Sequence, residues 1–418
     1  MVKLSAINFR ARIKQKIPSS MNSDVINVLL VIMIFNIPWG LVQPFISPFF
    51  FDLTQGDYFL TGLLNGLPFM TMVVSVFIFG WIVDKIGSKI IMNLGFLLFL
   101  ILFITLLLIS DPYLFFLDYI IINGLLACFS PAILKYASLV KTEGNIFGVL
   151  GAGTSFGYFI GSYIGGLLYD ILGMRILYLI GFGTCILGLI LTLRMRNILH
   201  SEDPELIEMS SNPSIHSNSS HGLLSTLMNV KLVIIILMIA IFQTFQGSFS
   251  GIFVSVYLIS ELDAPSYAIG LSYGIATLSG TFAAQYAGKF GTKFGYKAIL
   301  LICFIGYLIV WLVFFTATDN YLLPALSYTI PIFVGLMVAG PAIVSQYIQE
   351  NQRGTVMGMF SACQYLGLGI GTILGGYYAA INSSIHSNFE ISAYGAIILI
   401  LFTFIFFRND KKEKLSTN

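Results

Sequence analysis

Twelve stretches of this chain are each about twenty residues or longer and nearly free of charge, which limits its possible folds more than any other feature. A helix needs about 20 mainly apolar residues to cross a bilayer, and in lipid every backbone polar group must be satisfied within the protein. The stretches cover about 25–51, 58–83, 89–110, 112–140, 145–168 and 173–193, then 231–259, 267–288, 297–317, 320–347, 354–380 and 390–408. Charged residues make up 10% of the 418 and hydrophobic ones 57%, whereas a soluble domain carries about 25% charged residues. One core could not hide that much apolar surface, so the natural solvent is lipid. The expectation is an all-α membrane protein of twelve transmembrane helices.

Lysine and arginine orient such a chain, because they collect on the cytoplasmic side. With the N-terminus inside, Lys85, Lys89, Lys141, Arg194, Lys231, Lys289, Lys293, Lys297, Arg353 and Arg408 all fall on the cytoplasmic side. The outer connections then hold Arg175 together with Asp52, Asp57, Asp111, Asp170, Glu261, Asp263 and Asp319. Both termini are expected inside, in a plasma-membrane protein. The first apolar stretch is too long for a cleaved leader and should stay as an anchor. Residues 1–24 read as a basic cytoplasmic segment, 25–193 as one six-helix bundle and 194–230 as a mostly disordered, Ser/Asn-rich connector. Residues 231–408 read as a second six-helix bundle and 409–418 as a cytoplasmic tail.

Composition also excludes chemistry. Cys128, Cys185, Cys303 and Cys363 all lie inside apolar runs, and His200, His216, His221 and His386 lie outside them. No metal site, disulfide framework or cofactor is expected. The spans hold no His, Cys–His or paired-carboxylate constellation, so the chain does not read as an enzyme. A net charge of +2 implies no nucleic-acid partner.

The stretch "GVLGAGTSFGYFIGSYIGG" (148–166) holds Gly148, Gly157, Gly161, Gly165 and Gly166, and a shift of 210 residues turns these into Gly358, Gly367, Gly371, Gly375 and Gly376. Near residue 80 the shift is 208, with Gly80, Gly87 and Lys89 matching Gly288, Gly295 and Lys297, and Gly62 and Gly66 matching Gly270 and Gly274. "IFNIPWG" (34–40) similarly pairs with "IFQTFQG" (241–247), making Asn36 and Gln243 repeat partners. The two bundles therefore read as pseudo-symmetric parallel repeats. Glycines every four residues form a stripe without side chains, which lets backbones approach closely. The stripes (Gly148, Gly157, Gly161, Gly165, Gly166; Gly367, Gly371, Gly375) are expected to form a smooth seam where one bundle meets the other.

The six-plus-six repeat and "GWIVDKIGSK" (80–89) resemble the major facilitator superfamily of secondary transporters. Gly80, Asp84, Gly87 and Lys89 fill every position of its loop signature G-x-x-x-D-x-x-G-x-[RK], and the glycines of 148–166 fill its fifth-helix signature except for Ser162, where proline is usual. The resemblance implies alternating access by rocking bundles, and an inner gate in which Asp84 meets Arg353 and the start of the eleventh helix. Its fourth-helix arginine, associated with proton coupling, is Ile120 here. In that family the first, fourth, seventh and tenth helices line the path.

Candidate path residues are Asn36, Trp39, Gln43, Asn123, Lys135, Gln243 and Gln246: amides with aromatic surface, and one lysine that would favour an anionic solute. Pro38 and Pro44 are expected to break or kink the first helix. The function expected is transport of a small organic solute, either export or uptake of a neutral or anionic nutrient, by a monomer with H+ or Na+ as candidate coupling ion. A non-transporting receptor is the competing reading, and it would need a soluble module that the connector does not offer.

Overall fold

Each apolar stretch forms helix. The computed structural model describes residues 23–139, 146–195, 231–348 and 350–407. The first half comprises α1 (Ser23–Leu53), α2 (Tyr58–Ile86), α3 (Ser88–Leu108), α4 (Pro112–Leu126), α5 (Phe129–Leu139) and α6 (Ile146–Arg194). The second comprises α7 (Lys231–Gly251), α8 (Val254–Ser260), α9 (Ser266–Phe294), α10 (Tyr296–Thr316), α11 (Leu322–Ser327), α12 (Val334–Tyr347), α13 (Glu350–Asn382) and α14 (His386–Phe406). Among the described residues nine segments are long and apolar enough to span a membrane, and one of them, Val149–Arg194, has 46 residues, the length of two crossings. It turns at Gly173, whose φ of 72° only glycine adopts easily. The segments expected at 1–24, 194–230 and 409–418 lie almost wholly outside the described residues.

The first helix does not break where its prolines suggested. α1 runs unbroken through Pro38, Pro44 and Pro48. Its repeat partner is the one that breaks, between α7 and α8 at Ile252–Phe253, and Ile252 is the counterpart of Pro44 at a shift of 208. Lipid-embedded helices tolerate proline where neighbours satisfy the freed carbonyls.

The two halves repeat down to single backbone contacts. A Cβ built on Gly157, Gly161 or Gly165 would strike the carbonyl oxygen of Met33, Ile37 or Leu41 in α1. On Gly367, Gly371 or Gly375 it would strike that of Ile241, Phe245 or Phe249 in α7, each residue 208 beyond its counterpart. Left-handed backbone recurs the same way: Gln55 (φ 56°) with Asp263 (φ 48°), Gly87 with Gly295 (both 92°), and Gly173 (72°) with Ser383 (51°).

These contacts correct two expectations. Of the glycines expected at the seam, Gly157, Gly161 and Gly165 join α6 to α1 and Gly367, Gly371 and Gly375 join α13 to α7, inside each half, while Gly166 does meet the other half as expected. The contact between halves falls to neighbouring glycines: at 100° per residue, Gly166 and Gly376 point away from the stripe. The register of α1 against α7 is also 208, so Phe35 is the counterpart of Gln243, and Asn36 that of Thr244. The one-residue slip arose because the apolar identities in 34–40 outweighed the packing register.

One face of the protein carries Asp52, Asp57, Asp111, Asp170, Glu261 and Asp263; the opposite face carries Lys85, Lys89, Lys289, Lys293 and Lys297. At the acidic face the halves touch backbone to backbone. A Cβ on Gly62 would come within 2.8 Å of Gly376 Cα and 2.9 Å of the Thr372 oxygen, and one on Gly270 within 3.0 Å of Gly166 Cα. Deeper, the rings of Phe69 and Tyr365 stack at 6.5 Å, and Thr281 hydrogen-bonds Ser155. Toward the basic face, Cβ atoms on Gly80, Gly151 and Gly288 would meet nothing within 4 Å. Among the described residues the seam is thus sealed at the acidic face and looser toward the basic one.

Gly161→Ala should cost about 1–3 kcal/mol through overpacking against backbone that cannot retreat. Gly151→Ala, with open space at Cβ, should be neutral or slightly stabilising, since alanine favours helix by about 1 kcal/mol. Thermal unfolding of the purified protein in detergent checks both, and equal effects at the two sites would refute the packing described.

Candidate functional site

Between the halves lies a cavity of two lobes that meet at Tyr365 of α13. The lobe in the first half encloses about 390 Å³. Its wall is aromatic because α1 presents Phe35 and Trp39 on one face, where Phe35 stacks on Phe129 at 3.5 Å and lies 4.9 Å from Phe99. Asn36 lines this lobe, its amide nitrogen donating to the Ile32 carbonyl at 2.7 Å. Ser130 and Thr154 add hydroxyls.

The lobe in the second half encloses about 310 Å³ and is polar. Gln243 donates to the Tyr307 hydroxyl at 2.7 Å, leaving its own carbonyl oxygen and the tyrosine proton available. Tyr158 donates to the Gln43 carbonyl oxygen at 2.5 Å, which leaves the Gln43 amide protons free to donate. Tyr273 and Tyr328 pack ring to ring at 4.9 Å, and Gln364 completes the wall. No lysine, arginine, aspartate or glutamate lines either lobe among the described residues.

Of the candidates named from sequence, Asn36, Trp39, Gln43 and Gln243 line the cavity, and three others are placed elsewhere. Lys135 reaches the Val83 carbonyl at 3.3 Å, near the C-terminal end of α2, where a cation complements the unpaired carbonyls. Asn123 is fully buried and donates to the Tyr119 carbonyl at 2.7 Å. Gln246 packs on Gly395 of α14, and its amide has no hydrogen-bond partner among the described residues. The anionic preference inferred from Lys135 therefore lacks its residue in the cavity.

The residues expected at the inner gate divide in the same manner. Gly87 ends α2 with a φ of 92°. Lys89 does not cross between halves: it donates to the carbonyls of Leu193 (2.9 Å) and Met195 (2.7 Å) at the end of α6. Its counterpart Lys297 does the same to Phe404 at the end of α14. Asp84 and Arg353 sit on α2 and α13, and their side chains lie outside the described residues, as does any contact of Gly148.

Sequence reasoning missed Tyr273, Tyr307, Tyr328, Gln364 and Tyr365. Gln364 was detectable as an amide inside an apolar span. The tyrosines carried no signal, since tyrosine in an apolar run reads equally as lipid-facing or packed.

Comparison with known proteins places this geometry. A family model described as the Major Facilitator Superfamily matches residues 28–282 and 232–418. No curated protein matches the chain. Among solved structures, the nucleoside transporter NupG is similar at a TM-score of 0.75 and 15% identity, covering 93% of this chain and 100% of its own. A D-xylose-proton symporter is similar at 0.69 and 15%, covering 92% and 96%. A bacterial homolog of the human lysosomal transporter Spinster, in an inward-facing and occupied conformation, is similar at 0.69 and 14%, covering 92% and 95%. These likenesses are of fold. With the family model matched over both halves, the chain belongs to the Major Facilitator Superfamily.

Proposed function

We propose that this protein carries a neutral solute with a hydroxyl- or amide-bearing end and a flat apolar part, of the nucleoside or glycoside type. The observation that supports the reading is the uncharged two-lobed cavity, aromatic on one side and lined by glutamine and tyrosine on the other. Membership of the family brings secondary transport of a small solute across a lipid bilayer. A buried amide that can both donate and accept suits sugar hydroxyls or a base edge, and an unpaired charge brought into such a site would meet no counter-ion. Two of the similar folds carry names that fit, a nucleoside transporter and a D-xylose symporter.

The basic face is the cytoplasmic one by the lysine and arginine bias, so a protein sealed at its acidic face is open inward. The glycine pattern serves packing in both halves alike and carries no direction.

Binding to the purified protein, with uridine, D-xylose and a cationic amphipathic dye as probes, tests the solute class. Uridine or D-xylose should bind and the dye should not; tight dye binding alone would overturn the proposal. Gln243→Ala should weaken binding of the accepted probe about five- to ten-fold, the equivalent of a lost hydrogen bond. Lys135→Gln should leave it unchanged.

With no carboxylate lining the cavity among the described residues, solute movement should not be driven uphill by protons. In proteoliposomes an imposed pH gradient should leave the internal probe at its external concentration; accumulation beyond that level would assign a proton site elsewhere in the protein.

A further inference from the structure

We infer that Asp170 is the positioning residue of the outer gate: a helix cap supplied by one half of the protein to the other, which exists only while the acidic face is closed. The inference rests on alternating access of the cavity but not on the identity of the solute.

Every helix begins with backbone N–H groups that lack partners inside the helix, and a preceding Asp, Asn, Ser or Thr usually accepts from them. The repeat-related helices α2 and α9 both start at the acidic face and meet this need differently. At α2, Asp57 caps its own helix, its Oδ1 accepting from Leu60 N at 2.9 Å. The counterpart of Asp57 at a shift of 208 is Pro265, which has no side chain able to accept, and α9 has no cap of its own. Its first residue, Ser266, instead donates to Asp170 twice: N–H to Oδ2 at 2.9 Å and Oγ–H to Oδ1 at 2.5 Å. Asp170 lies just beyond the outer end of the fifth apolar stretch, on α6, in the opposite half. The counterpart of Asp170 in the second half is Ala380, so the device is present once.

The two caps therefore differ in what gating does to them. The Asp57 cap moves with its own half and is indifferent to the state of the gate. The Asp170 cap bridges the seam beside the Gly166–Gly270 contact, where the backbones touch. Parting the acidic face pulls the carboxylate off α9 and exposes an uncapped positive helix end, so the cap favours the closed face. Ser266 is 1% exposed, and its hydroxyl would have to find water on opening. A proline where the other half has a cap in cis, and an aspartate placed across the seam, together make a latch out of an ordinary structural requirement.

The test is labelling of Gly251→Cys, a cavity position with room for a side chain, by a membrane-impermeant maleimide in a protein otherwise free of cysteine. Gln55→Cys, in an exposed turn, identifies vesicles whose acidic face is outward. In those vesicles Asp170→Ala should raise the labelling rate about five-fold, the population equivalent of one lost cap. Asp170→Asn, which retains an acceptor, should raise it less. Adding Pro265→Asn to Asp170→Ala supplies a cap in cis; it should restore thermal stability while labelling stays high. A purely structural cap predicts that stability and labelling recover together, and that result, or labelling unaltered by Asp170→Ala, would overturn the inference.

Discussion

The architecture depends on backbone touching backbone along two glycine stripes. Gly157, Gly161 and Gly165 let α6 lie against the carbonyls of α1, and Gly367, Gly371 and Gly375 do the same for α13 on α7. Lipid exerts no hydrophobic pressure between helices, so close approach and dispersion have to hold them together. Each stripe welds the first and fifth helices of its half into one rigid pair. Elsewhere in the first half the logic is large against small: Phe96 and Phe103 of α3 fill the spaces that Gly188 and Gly181 leave on α6. A half built this way moves as a body.

The contacts between halves are of another kind. They run between α2 and α13 and between α6 and α9, and the closest join Gly62 with Gly376, Gly270 with Gly166, and their repeat-related neighbours Gly66 and Gly274 with Gly369 and Phe159. Small residues here allow closure without interlocking side chains. The cavity lies beyond this seal, at the level where Tyr365 joins its two lobes. Rigid halves with a symmetric, small-residue seam between them suit an exchange of which face is closed, with the cavity walls carried by the halves. The cavity offers different chemistry on its two sides because the halves, alike in backbone, differ in side chain. Phe35 stands where the second half has Gln243, and Trp39 where it has Gly247.

Much of this was legible before any coordinates. Apolar length located the helices, the matching glycines revealed the repeat, and the loop and fifth-helix signatures pointed to the family. What escaped is equally instructive. A glycine stripe announces close approach but not the partner, and here the partner is the nearest helix of the same half. Lys135 and Lys89 look functional in an apolar chain, yet each meets backbone carbonyls near a helix end, a local need that any long cation can serve. The polar wall escaped because its tyrosines come from α9, α10 and the segment after α11, and only packing brings them to Gln243. The break at Ala127–Cys128 falls four residues before Pro131, whose ring opposes the Ala127 carbonyl and which cannot donate to it, whereas the break at Ile252–Phe253 has no proline near it to flag it.

The central claim is that two rigid halves rock about a shared cavity, closing one face as the other opens. Paired spin labels measure this most directly, at the repeat-related positions Gln55 and Asp263 on the acidic face and Lys85 and Lys293 on the basic face. On shifting the protein between states with a bound solute, the account predicts that one distance lengthens as the other shortens, with labels inside a single half keeping their spacing. Both distances changing in the same sense, or movement confined within one half, would contradict it.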